Sequence, residues 1–572
     1  MSSTYTKLIV GWVALAGLLV LGFRLNPIDY AVENIQHEFS WASIVPSDKL
    51  EWTDCYSAHQ CARLNVPLNY SEPEGEKAAI ALTRYPAAVP ADSPLYRGPV
   101  LFNPGGPGGS GVDMIALAGS ALAVMVGPEF DIIGFDPRGV SHSTPRVSFF
   151  ETNMERNAWG NPSLTDLNSS SDALGRFWAR AQVYNRFAAE RGSYQHINTD
   201  NTARDMLQIV RAHGREKLQY WGISYGSVLG AVFASMFPDK VERIVIDGVV
   251  DAENYFDALW SNNLLDTDKA LQAFFDGCVA AGPEACAFHA PTPEAIFKNL
   301  TTLFKSIQTR PIPVHGPPGG SRLIDYDLLR RLVLATLYWP YSLFSPVAAL
   351  LAALARGDEA LPILLPIPTF ECPNDPAEHQ FDNVADSQVA IICNDGRAVP
   401  SGFDEAEKHY QMMAKTSSWG SILASVRIMC SGWPEDTPKR HFQGPVTGNT
   451  SFPLLIIGNT ADPITPLQNA KKMSKAFTGS VVLTQDCPGH TSLAGASPCT
   501  WGYIREYFLN GTLPDNDIVC PVLGSLFPNP GASGLQENEQ TVFSAARRDM
   551  FNFEAFETVQ SSARRSMTNF LL

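Results

Sequence analysis

Basic charge is what this sequence has little of. Its 572 residues include 42 Lys and Arg against 58 Asp and Glu, which gives a formal net charge of −16 at pH 7. No long Lys/Arg run interrupts this acidic average, so the chain lacks the positive face that binds a phosphate backbone. We therefore expect no nucleic-acid partner. Charged residues are scarce altogether, at 17% against 45% hydrophobic, which is typical of a folded chain with a large core.

Several metal and nucleotide motifs are also missing. The patterns Cys-x-x-Cys and His-Glu-x-x-His do not occur, nor does the Walker Gly-Lys-Ser/Thr signature. Their absence argues against a chelated metal, thioredoxin-like redox chemistry and nucleoside triphosphate binding. No repeat at a solenoid or propeller period is found either. The remaining signals belong to an export segment and to a set of catalytic motifs.

The amino terminus carries an uncharged apolar run, Leu8–Phe23, between Lys7 and Arg24. The run is longer than most signal-peptide cores and shorter than the roughly 20 residues that span a bilayer comfortably. A cleaved signal peptide and a signal anchor are both open, while a buried core helix is disfavoured because the run has no polar face. We expect a protein that is secreted, or anchored to a membrane through residues 8–23, with its catalytic domain extracytoplasmic.

The ten cysteines fit export, because an even number favours disulfides in an oxidising compartment. Cys55 with Cys61, and Cys278 with Cys286, are close enough in sequence to form local pairs, whereas the sequence leaves the partners of the other six open. Buried free thiols are the alternative. Five Asn-x-Ser/Thr sequons are compatible with an exported glycoprotein. They begin at Asn69, Asn168, Asn299, Asn449 and Asn510.

Short apolar runs alternate with helical stretches up to about residue 250, and the strand signal resumes after about residue 446. This alternation predicts an α/β fold with a mostly parallel sheet covered by helices. The nearly two hundred residues between the two parts are helical and loop-rich, which favours an inserted lid over a structureless loop. The predicted organisation is a signal peptide or anchor (1–24), a linker (25–50), the core (51–250 and 446–530), a helical lid (251–445) and a C-terminal tail (531–572) that is polar and frayed.

Individual elements are predicted from hydrophobic periodicity and turn residues. A helix is expected at Thr199–His213. Strands are expected at Val100–Phe102, Phe130–Phe135, Lys217–Trp221, Arg243–Ile246, Pro453–Ile457 and Ser480–Thr484. Catalytic motifs follow several of these strands.

Gly222-Ile223-Ser224-Tyr225-Gly226 fits Gly-x-Ser-x-Gly directly after a predicted strand and before a small-residue helix. In this nucleophile elbow a serine occupies a strained strand-to-helix turn, and a Cβ on either flanking glycine would crowd the neighbouring backbone. Ser224 is therefore the predicted nucleophile, and the Tyr225 N–H is a predicted oxyanion donor. The alternative is a helix-entry turn in which Ser224 only caps the helix.

A serine nucleophile needs a base held by an acid, and in this fold they follow in the order Ser, acid, His after late strands. Asp462 comes just past the strand predicted at Pro453–Ile457, and His490 follows the last predicted strand on a Pro-Gly turn. We predict Asp462 as the acid and His490 as the base. Asp486 is the rival acid, disfavoured because it lies only four residues before His490 on the same loop.

The glycine-rich segment 103–111 has two interpretations. Gly106, Gly108 and Gly111 satisfy the dinucleotide pattern Gly-x-Gly-x-x-Gly, with Asp131 about 20 residues further on. However, Pro107 removes a backbone N–H from such a phosphate loop, and a dinucleotide site leaves the three predicted catalytic residues unexplained. We prefer the alternative, a loop after the third strand whose N–H groups complete an oxyanion hole. Gly105 and Gly106 are its predicted donors.

Together these motifs resemble the α/β-hydrolases related to tripeptidyl aminopeptidase and prolyl iminopeptidase. Matching pieces span most of the chain in one order. They include Val66-Pro67-Leu68-Asn69-Tyr70, the segment 103–111, Asp136-Pro137-Arg138-Gly139, Tyr220-Trp221-Gly222-Ile223-Ser224-Tyr225-Gly226, Asp247-Gly248-Val249-Val250-Asp251, Cys393-Asn394-Asp395, Cys430 with Trp433-Pro434, Asp462-Pro463-Ile464-Thr465-Pro466 and Gly489-His490-Thr491-Ser492. A departure is Val140-Ser141-His142-Ser143, where the family usually has Gly-x-Gly.

The resemblance implies a serine hydrolase with a helical lid that acts at the amino end of short peptides, with the catalytic set carried over onto Ser224, Asp462 and His490. It requires no metal or organic cofactor. An aminopeptidase must hold a free α-ammonium group, and Asp251 or Glu253 are the predicted carboxylates for it. An esterase or lactonase of the same fold stays open, as does a binding protein that has lost turnover, because substrate class depends on the lid. The sequence leaves the oligomeric state open.

Overall fold

The computed structural model describes residues 39–159, 165–191, 194–314, 322–357, 383–434, 442–528 and 549–571. The apolar run Leu8–Phe23, Cys372 and the first part of the predicted linker lie outside the described residues. Within these residues no helix combines the length and apolarity needed to cross a bilayer.

One large sheet organises the described chain. Its strands are β1 (Thr53–Cys55), β2 (His59–Pro67), β3 (Lys77–Tyr85), β4 (Gly98–Asn103), β5 (Phe130–Phe135), β6 (Leu218–Ile223), β7 (Val241–Asp247), β10 (Leu455–Ala461), β11 (Val481–Pro488) and β12 (Val519–Pro521), while β8 (Ile312–Val314) and β9 (Arg322–Ile324) form a separate hairpin. The ten strands lie in the order β1-β2-β3-β5-β4-β6-β7-β10-β11-β12. The pairs from β5 to β12 are parallel, and only β1 to β3 add an antiparallel edge.

Helices fill the connections. They are α1 (Gly111–Val126), α2 (Asn153–Trp159), α3 (Ala173–Arg191), α4 (Thr199–Ala212), α5 (Tyr225–Met236), α6 (Ala252–Phe256), α7 (Thr267–Ala285), α8 (Pro293–Thr309), α9 (Tyr326–Thr336), α10 (Pro340–Arg356), α11 (Val384–Asp395), α12 (Phe403–Thr416), α13 (Gly420–Met429), α14 (Leu467–Ser474), α15 (Pro498–Asn510) and α16 (Asp549–Leu571). Ser110 caps α1 by accepting a hydrogen bond from the Asp113 N–H, so that helix begins directly after the glycine-rich segment.

The sheet has a hydrophobic core on each face. Side chains alternate between the two faces along a strand. In β4, Val100 and Phe102 pack in the core that contains α1 and α15, whereas Leu101 packs in the core that contains α5. All six residues of β4 are buried, as expected for a central parallel strand covered on both sides. The predicted fold class, a mostly parallel α/β sheet covered by helices, is confirmed.

Strand ends differ from the predictions where neighbouring strands prolong the pairing. The predicted strand Ser480–Thr484 continues as β11 to Pro488, because Gln485 and Asp486 pair with Cys520 and Pro521 of β12. Strand β12 was not predicted, because it has only three residues and so carries too short a hydrophobic pattern. This prolongation brings the end of β11 to within two residues of His490.

The described chain between β7 and β10 is mostly helical and holds α6 to α13 and the β8–β9 hairpin. The lid predicted at 251–445 includes these elements, and its boundaries stay a prediction. Helix α3, which the sequence assigned to the core, joins them: Asn185 Nδ2 donates to the Met429 carbonyl at 3.0 Å, and the Tyr184 hydroxyl donates to Asp386 at 2.6 Å. The helical region is therefore built from more than one chain segment.

The predicted frayed tail differs from the structure in residues 549–571, which form α16. Phe556 and Val559 of this helix are buried, and the Phe556 ring lies 5.0 Å from that of Trp501. Gln560 Nε2 donates to the Leu493 carbonyl at 2.8 Å, on the chain that follows His490. The buried residues Phe556, Val559 and Ala563 recur at helical spacing, but polar residues lie between them, and the prediction of a frayed tail did not use this pattern.

Both predicted local disulfides are present, Cys55–Cys61 and Cys278–Cys286. The structure adds two that the sequence left open, Cys393–Cys430 and Cys499–Cys520. Among the described cysteines, Cys487 alone forms no disulfide, and it is buried.

Candidate active site

Ser224 lies at the sharp turn from β6 into α5. Its backbone has φ +59° and ψ −120°, a conformation that side-chain-bearing residues rarely adopt and that is typical of a nucleophile elbow. The Ser224 N–H donates to the Asp247 carbonyl at 2.8 Å, which ties the turn to the end of the neighbouring strand β7. The predicted elbow geometry is thus present in the backbone.

The two glycines of the motif allow this turn because neighbouring backbone comes very close to them. A Cβ on Gly222 would lie 2.2 Å from the Gly226 carbonyl oxygen, and a Cβ on Gly226 would lie 2.9 Å from the Asn103 carbonyl oxygen. Both distances are shorter than van der Waals contact, so any larger residue would displace the backbone.

The glycine-rich loop lies directly against the elbow. Gly105 has φ +94°, and a Cβ there would lie 2.4 Å from the Ile223 carbonyl oxygen and 2.9 Å from Ser224 Cβ. The Gly105 N–H already donates to Asn103 Oδ1 at 3.0 Å. Of the predicted oxyanion donors, this leaves the N–H groups of Gly106 and Tyr225, two residues that line the same cavity as Ser224.

The dinucleotide interpretation of this loop is disfavoured by the topology. The loop follows the carboxyl end of β4, whereas Asp131 is the second residue of the parallel strand β5 and so lies at the opposite edge of the sheet. Asp131 is also engaged with Arg84 at 3.3 Å and with the Tyr96 hydroxyl at 2.8 Å. It is therefore not placed to bind a ribose held at the loop.

Asp462 and His490 form a fully buried pair. Asp462 is the first residue after β10, His490 follows β11, and His490 Nδ1 lies 3.0 Å from Asp462 Oδ2. Since the carboxylate can only accept, we assign the proton to Nδ1, which leaves Nε2 as a base. Within the described structure Nε2 is buried and has no hydrogen-bond partner.

Asp462 is held in its charged form by donors. It accepts hydrogen bonds from the N–H groups of Ile464, Thr465 and Thr491 at 2.8–2.9 Å. Burial alone would raise the pKa of Asp462, but the adjacent His490 and these backbone donors bring it below its usual range. An ionised Asp462 carboxylate can stabilise the positive charge of a protonated His490 imidazole.

Thr465 is a site residue that sequence reasoning missed. Its Oγ1 donates to Asp462 Oδ2 at 2.7 Å and lies 3.0 Å from His490 Nδ1, where it can accept a hydrogen bond. The signal was its position three residues after Asp462, because an aspartate often bonds to residues two and three places on in a turn.

Ser224 and His490 both lie next to the turn Asp247-Gly248, but within the described structure no hydrogen bond joins the Ser224 hydroxyl to His490 Nε2. A Cβ on Gly248 would lie 3.3 Å from His490 Cε1, and Ser224 is bonded to the preceding residue, Asp247. Catalytic hydrogen bonds are often long or misaligned without substrate, so the missing bond does not remove His490 as the candidate base.

The remaining predicted carboxylates lie elsewhere. Asp486 is exposed and accepts a hydrogen bond from Thr460 Oγ1 at 2.9 Å, so the rival acid does not contact the imidazole. Asp251 is buried and pairs with Lys472 Nζ at 2.8 Å, and the exposed Glu253 lies 2.8 Å from the same amine. Their binding of a substrate ammonium stays a prediction, and one that the ion pair with Lys472 disfavours.

A cavity that is partly open to solvent lies beside Ser224 and Gly106; its empty space is about 910 Å³ with the solvent at its mouth included. Its wall is largely apolar and comes from α11 and α13, with Ile392, Leu423 and Met429 among the lining residues. An apolar wall with a few polar groups is typical of a small-molecule site.

Asp247 is a second buried carboxylate next to the pair. It accepts hydrogen bonds from the Ser492 N–H at 2.8 Å and the Ser492 hydroxyl at 2.5 Å, and its own carbonyl binds the Ser224 N–H. Burial raises the pKa of Asp247 to about 6, although these donors oppose the shift. One residue therefore joins the elbow to the loop that carries His490.

We expect Asp247→Asn to lower kcat about 10- to 100-fold with little change in KM, because an amide cannot accept both Ser492 bonds and the His490 loop would shift. Steady-state kinetics measures this split. Asp239→Asn, at an exposed carboxylate, is the control and should leave both constants unchanged. Equal kinetics in the wild type and Asp247→Asn would contradict the positioning role.

Asp395 lies behind the cavity wall in a buried network. It accepts hydrogen bonds from the Thr199 N–H at 2.8 Å and from the Tyr255 hydroxyl at 2.7 Å, and Thr199 Oγ1 in turn contacts the Tyr225 hydroxyl at 2.5 Å. Burial raises the pKa of Asp395 to about 6, despite these hydrogen bonds. The folded chain therefore holds a proton between pH 4 and 6 that the unfolded chain releases.

Because of this proton, we expect the free energy of unfolding to depend on pH. Because the folded-state pKa lies above the unfolded value, the contribution of Asp395 to the free energy of unfolding falls as the pH rises, by about 2 kcal/mol between pH 4 and 7. Urea unfolding of the wild type and Asp395→Asn at several pH values isolates this contribution. A difference between the two proteins that is constant with pH, or that grows in favour of the wild type, would contradict it.

Comparison with known proteins confirms the predicted resemblance. The model of the family described as TAP-like protein matches residues 415–520. A tripeptidyl aminopeptidase of Streptomyces coelicolor is 27% identical over 494 residues, covering 82% of this chain and 86% of that protein. Serine protease Hip1 of Mycobacterium tuberculosis is 28% identical over 496 residues, covering 82% and 91%. Carboxylesterase B of the same organism is 28% identical over 471 residues, covering 81% and 86%. The predicted class, a serine hydrolase, is confirmed.

Proposed function

We propose that this serine hydrolase releases short peptides from the amino end of peptide substrates, with Ser224, His490 and Asp462 as its catalytic residues. The observation that carries the proposal is the buried Asp462–His490 pair next to the strained turn of Ser224. Similarity to a tripeptidyl aminopeptidase over 82% of the chain supports the choice of bond.

In the proposed reaction Ser224 Oγ attacks the scissile carbonyl while His490 Nε2 accepts the hydroxyl proton. Asp462 stabilises the imidazolium that forms at His490. The N–H groups of Tyr225 and Gly106 bind the negative oxygen of the tetrahedral intermediate. His490 then protonates the leaving amine, and water attacks the acyl-enzyme to release the product and restore Ser224.

Ester cleavage is the second candidate, and the cavity favours it. Among the described residues that line the cavity, none is charged, so an uncharged acyl group fits without a counter-ion. The similarity to carboxylesterase B is in keeping with this alternative. The same catalytic residues would serve, because both reactions pass through an acyl-enzyme.

We also propose that the enzyme works outside the cytoplasm. Four disulfides among the described residues favour an oxidising compartment, and the apolar run Leu8–Phe23 supplies an export signal.

A substrate panel tests the proposed bond. Tripeptide p-nitroanilides with a free amino group, the same anilides with an acetylated amino group, and p-nitrophenyl esters would be compared by kcat/KM. We expect the free tripeptides to be cleaved at least about 10-fold faster than the acetylated ones, because an aminopeptidase uses the ammonium group for binding. Cleavage of esters alone would replace the aminopeptidase by an esterase.

A further inference from the structure

The wall of the cavity beside Ser224 is mostly apolar in its described part. Helix α13 contributes Leu423, Val426 and Met429, helix α11 contributes Ile392, and Trp260 closes another side. Polar contacts come from neutral groups only, such as the Gln388 amide, within the described part of the wall. A group that enters this space from the Ser224 acyl carbon therefore meets apolar surface.

Charged groups that neighbour the lining residues in sequence are already engaged. The Asp395 carboxylate binds Thr199 and Tyr255, and the Asp462 carboxylate binds His490. On α13 itself, Arg427 Nη1 donates to the carbonyl oxygens of residues 257 and 258, at 3.1 Å each. A charged side chain placed in the cavity would lose its hydration and gain no counter-ion in exchange, which is strongly unfavourable.

We propose, on the basis of the proposed function, that this cavity binds the side chain of the residue that supplies the scissile carbonyl and selects a large, apolar and uncharged one. The wall presents Trp260, Ile392, Leu423, Val426 and Met429, so a small side chain would leave much of this apolar surface without contact. The α-ammonium of a tripeptide lies two residues upstream, roughly 7 Å along an extended chain, and so can remain outside the cavity. Apolar selection is thus compatible with cleavage from the amino end.

The first test varies the third residue of a tripeptide p-nitroanilide while the first two stay the same. We expect Leu and Phe to exceed Lys and Glu by at least about 100-fold in kcat/KM, and to exceed Ala by about 10-fold, because unpaired charge and unfilled apolar space are both disfavoured. A Lys or Glu substrate within 10-fold of Leu would overturn the proposal.

An ester pair separates this proposal from the proposed function. p-Nitrophenyl hexanoate and p-nitrophenyl 6-aminohexanoate differ by a terminal ammonium group, and both deliver an acyl chain to Ser224 without a peptide bond. We expect hexanoate to be preferred at least about 100-fold. If esters obey this preference and no peptide is cleaved, the aminopeptidase proposal fails and the cavity proposal stands. If the two esters react equally, the cavity proposal fails whether or not peptides are cleaved.

A charge introduced into the wall should reverse the selection. Val426 lines the cavity and is only half-buried, so a polar residue is tolerable there. We expect Val426→Asp to raise the Lys-to-Leu ratio of kcat/KM at least about 10-fold over Val426→Asn, which has the same shape without the charge. Equal ratios in the two folded variants would show that Val426 does not face the bound side chain and would overturn the proposal. Should the variants not fold, the two substrate series in the wild type still decide it.

Discussion

Ser224→Ala is expected to abolish turnover and leave the fold intact. Removal of a serine nucleophile costs at least about 10⁴-fold in kcat, because the remaining base and oxyanion donors have no attacking group to assist. The Ser224 side chain makes no hydrogen bond within the described structure, so we expect the free energy of unfolding to change by less than about 1 kcal/mol. Kinetics on the preferred substrate and a thermal melt measure the two effects.

Ser235→Ala, in the helix α5 that follows Ser224, supplies a matched control. Ser235 Oγ donates to the Ala231 carbonyl at 2.9 Å and lies outside the cavity lining, so its removal should leave kcat within about 2-fold. A labelled fluorophosphonate should attach to the wild type and to Ser235→Ala but not to Ser224→Ala. Turnover or labelling retained by Ser224→Ala would end the assignment of the nucleophile.

Asp462→Asn should produce the second large loss, about 10⁴-fold in kcat, with KM changed much less. An amide at this position turns an N–H₂ group toward His490 or toward the backbone donors of Ile464, Thr465 and Thr491, all of which need an acceptor. It also removes the charge that stabilises the imidazolium. Steady-state kinetics at several pH values measures the loss.

Asp486→Asn is the control for this prediction. Asp486 lies at the same edge of the sheet, but it is exposed and contacts Thr460 rather than His490. Its kcat should stay within about 3-fold of the wild type. A large loss in Asp486→Asn together with a small one in Asp462→Asn would exchange the two roles.

The order and the kinds of the proposed catalytic residues could be read from local sequence. Ser224 stands in a pattern whose glycines are needed wherever a serine occupies such a turn, and Asp462 and His490 each follow a recognisable strand. These signals are short-range, because a strand and the turn after it are specified by about ten neighbouring residues. The mostly parallel sheet could be predicted for the same reason, from strands that alternate with helices.

Other features had no local signal. The choice of Asp251 as an ammonium site did not anticipate Lys472, which lies 221 residues away in sequence and 2.8 Å away in space. In the sequence Asp247 is only part of a segment that resembles the family, and its bond to Ser492, 245 residues later, exists only in the folded chain. The segment that forms helix α16 was predicted as a frayed tail. The sequence does not show that Phe556 of this helix packs against Trp501.

By itself, then, the sequence determined which residues could form a hydrolase site and in which order the chain presents them. The tertiary structure decided which of them meet: parallel strands β6, β7, β10 and β11 place their carboxyl ends at one edge, so residues hundreds of positions apart come into contact there. The tertiary structure also determines which residues line the cavity, and the described lining residues are uncharged. The physical reason is that turns and strands depend on neighbours in sequence, whereas ion pairs, buried carboxylates and cavities depend on neighbours in space.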